Sequence, residues 1–280
     1  MPENEETIDK VWTFIDSCRV RAQLTQSVFG QFGSMALGML ASVLDDVDWI
    51  RQFGITSEHL ESLSILQLVD KYSEQEVENI YKRIIEWTGS KHPLDKSFER
   101  ECRVYLALRE LIEQYQLDFA GLKGYFELTD HYCQGSLAIS LLMAERFVIA
   151  NATDPLGALT MYIMRLFEPG APLAQANVEQ VDRRESVVRM AFDGILDFSA
   201  MERKHKEAIQ AAPSFGNESS SLWLSSMAKT GITTFARLSK VRDNYVMLIS
   251  RTESVKVEDF REQLGFPQCT AFVLKLTSSN

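Results

Sequence analysis

The fold class hangs on two neighbouring stretches, residues 119–142, "FAGLKGYFELTDHYCQGSLAISLL", and residues 146–167, "RFVIANATDPLGALTMYIMRLF". Each begins with a short apolar run, crosses a polar turn that carries an acid, and enters an apolar helix. Strands that alternate with helices in this way imply a mostly parallel sheet with helices on its faces. Ligands of such sheets gather at the carboxyl ends of the strands. Glu127, Asp130, His131 and Asp154 all fall at that edge in the sequence and are expected to face one cleft.

Working outward, "SVFGQFG" (27–33) reads as a further buried strand and "SMALGMLASVL" (34–44) as the helix after it, with Gly30 and Gly33 at the turn. The turn has neither GxGxxG nor GxxxxGK spacing, so tight packing is the favoured role of its glycines over phosphate binding. "TIDKVWTFIDSCRVRAQLTQ" (7–26) repeats apolar residues at helical spacing, with Thr7 as the expected N-cap. Residues 64–89 are helical with charged faces, 90–97 form a turn region, and "FERECRVYLALRELIEQYQ" (98–116) is an amphipathic helix. After about residue 170 the texture changes. Two strands are expected within 171–200, a loop at 210–221, and short β-branched antiparallel strands in "GITTFARLS" (231–239), "DNYVMLISRTESVKV" (243–257) and "QCTAFVLKL" (268–276). The expected architecture is therefore an α/β core domain over 1–170. A C-terminal region, 171–280, completes the sheet and forms a small antiparallel β-subdomain.

Composition narrows the function. The 280 residues are 45% hydrophobic and 24% charged, average for a globular chain with a sizeable core. A net charge of −10 with scattered Lys and Arg argues against a nucleic-acid partner. No apolar run reaches the ~18 residues of a membrane span, and the acidic start "MPENEETIDK" is unlike a targeting peptide, so a cytoplasmic location is expected. Cys18, Cys102, Cys133 and Cys269 lie far apart without a CxxC pair, and are expected to be reduced and mostly packed. The four histidines are His59, His92, His131 and His205.

The central stretches resemble the L-fucose/L-arabinose isomerase family. The likeness is carried by "FAGLKGYFELTDHYCQGSLAISLL" followed by "VIANATDPLGALTMYIMRLF", with "TDHY" and "DPLGALTM" its most specific parts. "GQFGSMALGMLASVLDDVDWIRQFGITSEHLES" (30–62) is similar to the family's second-domain entry, and "GITTFARLSKVRDNYVMLISRTESV" to its C-terminal β-domain. The resemblance implies an aldose–ketose isomerase fold in which a divalent metal, usually manganese, stabilises the enediol oxyanion while carboxylates move the proton. It places the metal aspartate on Asp154. The metal glutamate falls near Ile139, the acid two residues before the metal aspartate is Ala152, and the C-terminal histidine falls near Cys269 and Thr270. The segment "FDGILDFSA" lacks the family's His-Cys-Gly, and the family's amino-terminal domain has no counterpart here.

Three functional readings follow. In the first, the protein has lost the metal chemistry and acts as a sugar-binding or assembly subunit. In the second, it is an active manganese-dependent isomerase with a rebuilt site: Asp154 and Glu127 catalytic, Asp154, Glu127 and His131 on the metal, Lys123, Asp130 and Tyr132 on the sugar. In the third, another chain supplies the missing domain. The first and third are favoured, and both imply a homo-oligomer or hetero-complex. The ordinary alternatives are an N-cap role for Asp154 ahead of Pro155, turn chemistry for Asp130, and a Lys123 stem that only covers the sheet. Cys133 is expected to be a packed thiol, and Met35, Met39, Met161 and Met164 core residues.

Overall fold

The computed structural model describes residues 5–212, 221–256, 260–264 and 270–275. Helix α1 (Glu5–Leu24) leads into strand β1 (Val28–Phe32); α2 (Asp46–Phe53) leads into β2 (Thr56–Leu60); then come α3 (Ser62–Leu66), α4 (Glu74–Thr88) and α5 (Lys96–Gln114). β3 (Phe119–Leu122), the single turn α6 (Thr129–His131), α7 (Ser136–Ala144), β4 (Val148–Asn151) and α8 (Pro155–Phe167) follow. β1 to β4 form one parallel sheet in the order β2-β1-β3-β4. Phe29, Phe32, Phe119, Ala120 and Leu122 are wholly buried in it. Such continuous apolar strands are what helices on both faces demand.

Helix boundaries follow local chemistry. The expected helix at 64–89 is broken ahead of Ser73, because Ser73 and Glu76 form a reciprocal capping box that starts α4 afresh; Gly89 ends it in the left-handed region at φ 69°. Asp95 caps α5 through the N–H groups of Ser97 and Phe98. Thr7 lies inside α1 and not at its N-cap. The expected helix at 34–44 is a loop with one 3₁₀ turn, Leu40–Ser42. Leu37 (φ 52°) and Gly38 (φ 69°) leave helical geometry there, and Met35, Leu37, Met39 and Leu40 are exposed. Met35 and Met39 are therefore not core residues, while Met161 is buried.

Past α8, β5 (Asn177–Asp182), β6 (Val187–Phe192), β9 (Gly231–Val241), β10 (Asn244–Ser254) and β11 (Thr270–Lys275) make a five-stranded sheet in the order β5-β6-β11-β10-β9. Every pairing within it is antiparallel. Between β6 and β9, β7 (Ile209–Ala211) and β8 (Leu222–Leu224) form a separate pair. Among the described residues no strand after residue 151 joins the parallel sheet, so the C-terminal region builds its own sheet and does not complete the first. Most of the expected loop at 210–221, and Cys269, lie outside the described residues. One apolar core runs from Phe29 through α5, α7 and α8 to Leu196, Leu222, Leu224 and Leu238, binding the two sheets together.

Candidate functional site

The sheet order β2-β1-β3-β4 reverses direction between β1 and β3, and a crevice at such a reversal, outside the carboxyl ends of the strands, is where open α/β sheets take ligands. Gly33 follows β1 and Lys123 follows β3. The ladder continues one step past each strand, with Gly33 N–H donating to Leu60 O at 2.7 Å and Lys123 N–H to Phe32 O at 2.8 Å. A Cβ at Gly33 would stand 2.8 Å from Lys123 Cβ and 3.0 Å from Ser62 Oγ, with φ at +86°. At Gly30 it would stand 2.3 Å from Leu117 Cδ1. Close packing requires both glycines.

Lys123 buries its stem and donates from Nζ to Glu127 Oε1 at 2.8 Å and to Ser34 Oγ at 3.3 Å. Ser62 Oγ donates to Glu127 Oε2 at 3.2 Å. The Lys123 ammonium holds the Glu127 carboxyl below its ordinary range; slight burial opposes this, and Ser62 and His131 add to it. Glu127 remains half exposed, at 49%, and so reaches solvent as a paired carboxylate. Glu127 sits where the chain makes a wide turn, residues 124–128, closed by Thr129 Oγ1 donating to Gly124 O at 2.6 Å.

Beside this network opens a cleft of ≈ 260 Å³ between the ends of β1 and β2, lined in part by Gln31, Gly33, Ser34, His59 and Glu61. Gln31 is buried; its Nε2 donates to Gly33 O at 3.2 Å, and its Oε1 has no hydrogen-bond partner among the described residues. His59 Nε2 is 2.9 Å from Asp46 Oδ1, which also accepts from Ser57 Oγ. Partial burial pushes the Asp46 carboxyl up, but Ser57 and His59 together hold it below its ordinary value. Both bond to the same Asp46 oxygen, which is not the order of a nucleophile passing its proton to a base. The 34–45 loop is tied across the sheet edge by Ser42 Oγ donating to Ala152 O at 2.7 Å and Thr153 Oγ1 donating to Ser34 O at 3.0 Å.

Asp154 is the N-cap of α8, accepting from Gly157 N–H at 2.9 Å. It is also the partner of Arg237 on β9, whose two terminal nitrogens meet both carboxylate oxygens, one at 3.1 Å and one closer. The other sequence-derived residues spread out. Asp130 is half-buried and His131 exposed on α6. Tyr132 lies under Arg100, whose guanidinium is 5.3 Å from the ring centre and donates to Tyr132 O at 3.0 Å; burial raises its phenol. Lys123 and Glu127 are therefore together, with His131 near Glu127, while Asp154 is claimed by Arg237 and Tyr132 by α5. Ile139 is buried in α7 and Thr270 Oγ1 donates to Leu224 O, so neither position offers a metal donor of the expected kind.

The residues as arranged do not fit a manganese centre. Glu127 is engaged by an ammonium and a hydroxyl, and Asp154 by a guanidinium and a backbone N–H. Among the described residues no group of three His, Cys, Asp or Glu side chains is placed to hold a metal ion.

Two buried polar clusters escaped the sequence reading. Glu101, wholly buried, accepts from Leu137 N–H at 2.9 Å and Ala138 N–H at 3.4 Å, capping α7 from another helix. Burial pushes its carboxyl up to about 7 against the pull of those N–H groups. Cys133, buried beside it, is raised well above the ordinary thiol value by burial and by Glu101, which makes it a packed thiol and a poor nucleophile. The second cluster runs from Trp223 Nε1, donating to Gln134 Oε1 at 2.8 Å, to Gln134 Nε2, donating to Tyr125 Oη at 2.9 Å, and on to Asp193. Burial lifts the Asp193 carboxyl, with the Tyr125 hydroxyl bond opposing.

No family model matches the chain, and no curated protein matches it either.

Proposed function

We propose that this chain is a sugar-isomerase-like binding subunit of carbohydrate metabolism, which takes a small polyhydroxylated ligand at the β1/β3 crevice without metal-dependent catalysis of its own. The observation that carries the reading is the division of labour at the sheet edge. Asp154, the residue the family resemblance would place on the metal, spends both carboxylate oxygens on Arg237 and Gly157. The crevice nearby keeps the Lys123–Glu127 pair, a donor and acceptor suited to hydroxyl groups, and the adjoining β1/β2 cleft is lined by Gln31, whose buried Oε1 has no partner among the described residues. A carboxylate paired with an ammonium still has lone pairs for a sugar hydroxyl. The β1/β2 cleft adjoins this crevice through Gly33 and Ser34, and at ≈ 260 Å³ it lies just below the range of drug-sized ligand pockets, which suits a monosaccharide more than a larger ligand.

The test is calorimetric titration of the purified chain with L-fucose, L-arabinose and their ketoses, with and without manganese, alongside Lys123→Ala. The expected result is binding of at least one sugar that manganese does not alter and that Lys123→Ala weakens by about tenfold, the loss of one charged hydrogen-bonding group. Manganese-dependent interconversion of aldose and ketose would overturn the reading in favour of a rebuilt isomerase. No binding of any of these sugars would overturn the sugar assignment.

A further inference from the structure

Helix α1 stands apart from the body over most of its length. Residues 6–19 are all exposed, and only near its end does it meet the fold, where Val20 is buried, Leu24 packs on the core and Arg19 donates to Leu166 O at 3.0 Å. The exposed part is not polar. Ile8, Val11, Trp12 and Ile15 recur at helical spacing, with Phe14 beside them; Trp12 is 61% and Phe14 69% exposed. At 3.6 residues per turn this stripe lies on the side of α1 opposite Val20 and Leu24, so it points away from the body. A helical arm without tertiary support is marginal in water, and a stripe of this kind calls for cover.

We infer that the cover is α1 of a second copy, packed antiparallel about a two-fold axis through the middle of the arm. Two features select this occupant. The apolar spacing Ile8, Val11, Ile15, Cys18 is a heptad seam. Reversed upon itself, it sets Ile8 against Cys18 of the partner subunit and Val11 against the partner's Ile15, with Trp12 and Phe14 flanking the axis on either side. The net charges agree with reversal: Glu6, Asp9 and Lys10 leave the first turns acidic, and Asp16, Arg19 and Arg21 leave the last turns basic, with Glu6–Lys10 and Asp16–Arg19 paired within the helix. Antiparallel pairing brings acidic ends to basic ends and opposes the helix dipoles, whereas parallel pairing stacks like on like. The five exposed apolar side chains amount to roughly 900 Å² over two copies, below a standard stable interface and in the class of weak, transient association. This inference is independent of the ligand at the sheet edge.

Sedimentation of the full chain across a concentration series, up to on the order of 100 µM, reads the association directly. The expected result is a rise from monomer to twice that mass, abolished by Ile15→Glu in the seam and retained by Thr13→Glu on the opposite side of the helix. Both positions are exposed, so neither substitution threatens the fold. Orientation is read by oxidative cross-linking. Ile8→Cys should form a disulfide with the native Cys18 of the partner subunit, whereas the unmodified chain should cross-link poorly through Cys18 alone. A monomer at every concentration, association indifferent to Ile15→Glu, or efficient cross-linking of the unmodified chain with none gained by Ile8→Cys would each overturn the inference.

Discussion

Asp154→Ala removes, in one change, the N-cap of α8 and the partner of Arg237. The cap is worth about 1 kcal/mol. The ion pair is two-sided but uneven, with the Asp154 side chain 13% exposed and Arg237 35% exposed. A charged hydrogen-bonded pair of that kind, discounted for the solvent reaching Arg237, contributes about 1 kcal/mol more. The expected loss is therefore about 2 kcal/mol, or a fall of about 5 °C in Tm for a chain of this size. Asp154→Asn keeps an efficient cap and loses only the charge, so it should cost about half as much. Arg237→Met should match Asp154→Asn, and the double variant should fall short of the sum by about 1 kcal/mol, the coupling between the two. Urea denaturation followed by circular dichroism, repeated with manganese present, measures all four. If the carboxylate were instead a metal ligand, Asp154→Ala would leave the metal-free protein unchanged or more stable. Manganese would then stabilise the unmodified chain and not the variant. That pattern would refute the pairing argument.

Two further predictions concern the interior. The Glu101 carboxyl, with a folded value of about 7 against an ordinary 4.5, binds a proton in the folded state that the unfolded chain has already released between those values. Its contribution is therefore fully present below the unfolded value and is lost as pH rises through that window, by up to about 3 kcal/mol. Glu101→Gln should flatten this slope in urea midpoints taken across pH 4 to about 8; an unchanged slope would mean another group is responsible. Gly33→Ala forces a Cβ to within 2.8 Å of Lys123 Cβ at φ +86°, and is expected to cost about 2 kcal/mol. A neutral result in thermal melts would show that the β1/β3 crevice has room for a Cβ at Gly33.

What the sequence made legible was what local signals encode. β1, β3 and β4 are short apolar runs, α7 and α8 begin where polar turns give way to unbroken hydrophobes, and Asp154 ahead of Pro155 announces its own cap. The stretch 34–44 has the apolar content of a helix but no caps; most of its large side chains face solvent, Ala36 and Ser42 are buried, and the loop is held by Ser42 and Thr153 across the sheet. β2 went unread from periodicity because its residues, Thr-Ser-Glu-His-Leu, are those of an exposed edge. Glu101 was recoverable: it stands three residues after Phe98 and four before Tyr105, on the buried face of α5, where a carboxylate must have partners. Arg237 was not. It meets Asp154 across 83 residues, and nothing in either segment names the other.

That separation has a consequence for how the molecule is made. The β9–β10 hairpin clamps the older part of the chain at several points besides Asp154: Leu238 N–H donates to Thr160 Oγ1, Lys240 Nζ reaches Asp45 and Asp48, and Tyr245 Oη donates to Asp48 at 2.7 Å. The parallel sheet and α2 can be complete on the ribosome while their carboxylates still lack these cations, since residues 231–254 emerge long after residue 167. Contacts so distant in sequence form slowly. Until they form, Asp154 and Asp48 lack their cations, while α8 is held by its cap and by the packing of Leu159 and Tyr162 in the core. The β9–β10 hairpin is thus a latch on Asp154, Asp45 and Asp48, closed only after the sheet it holds has been made.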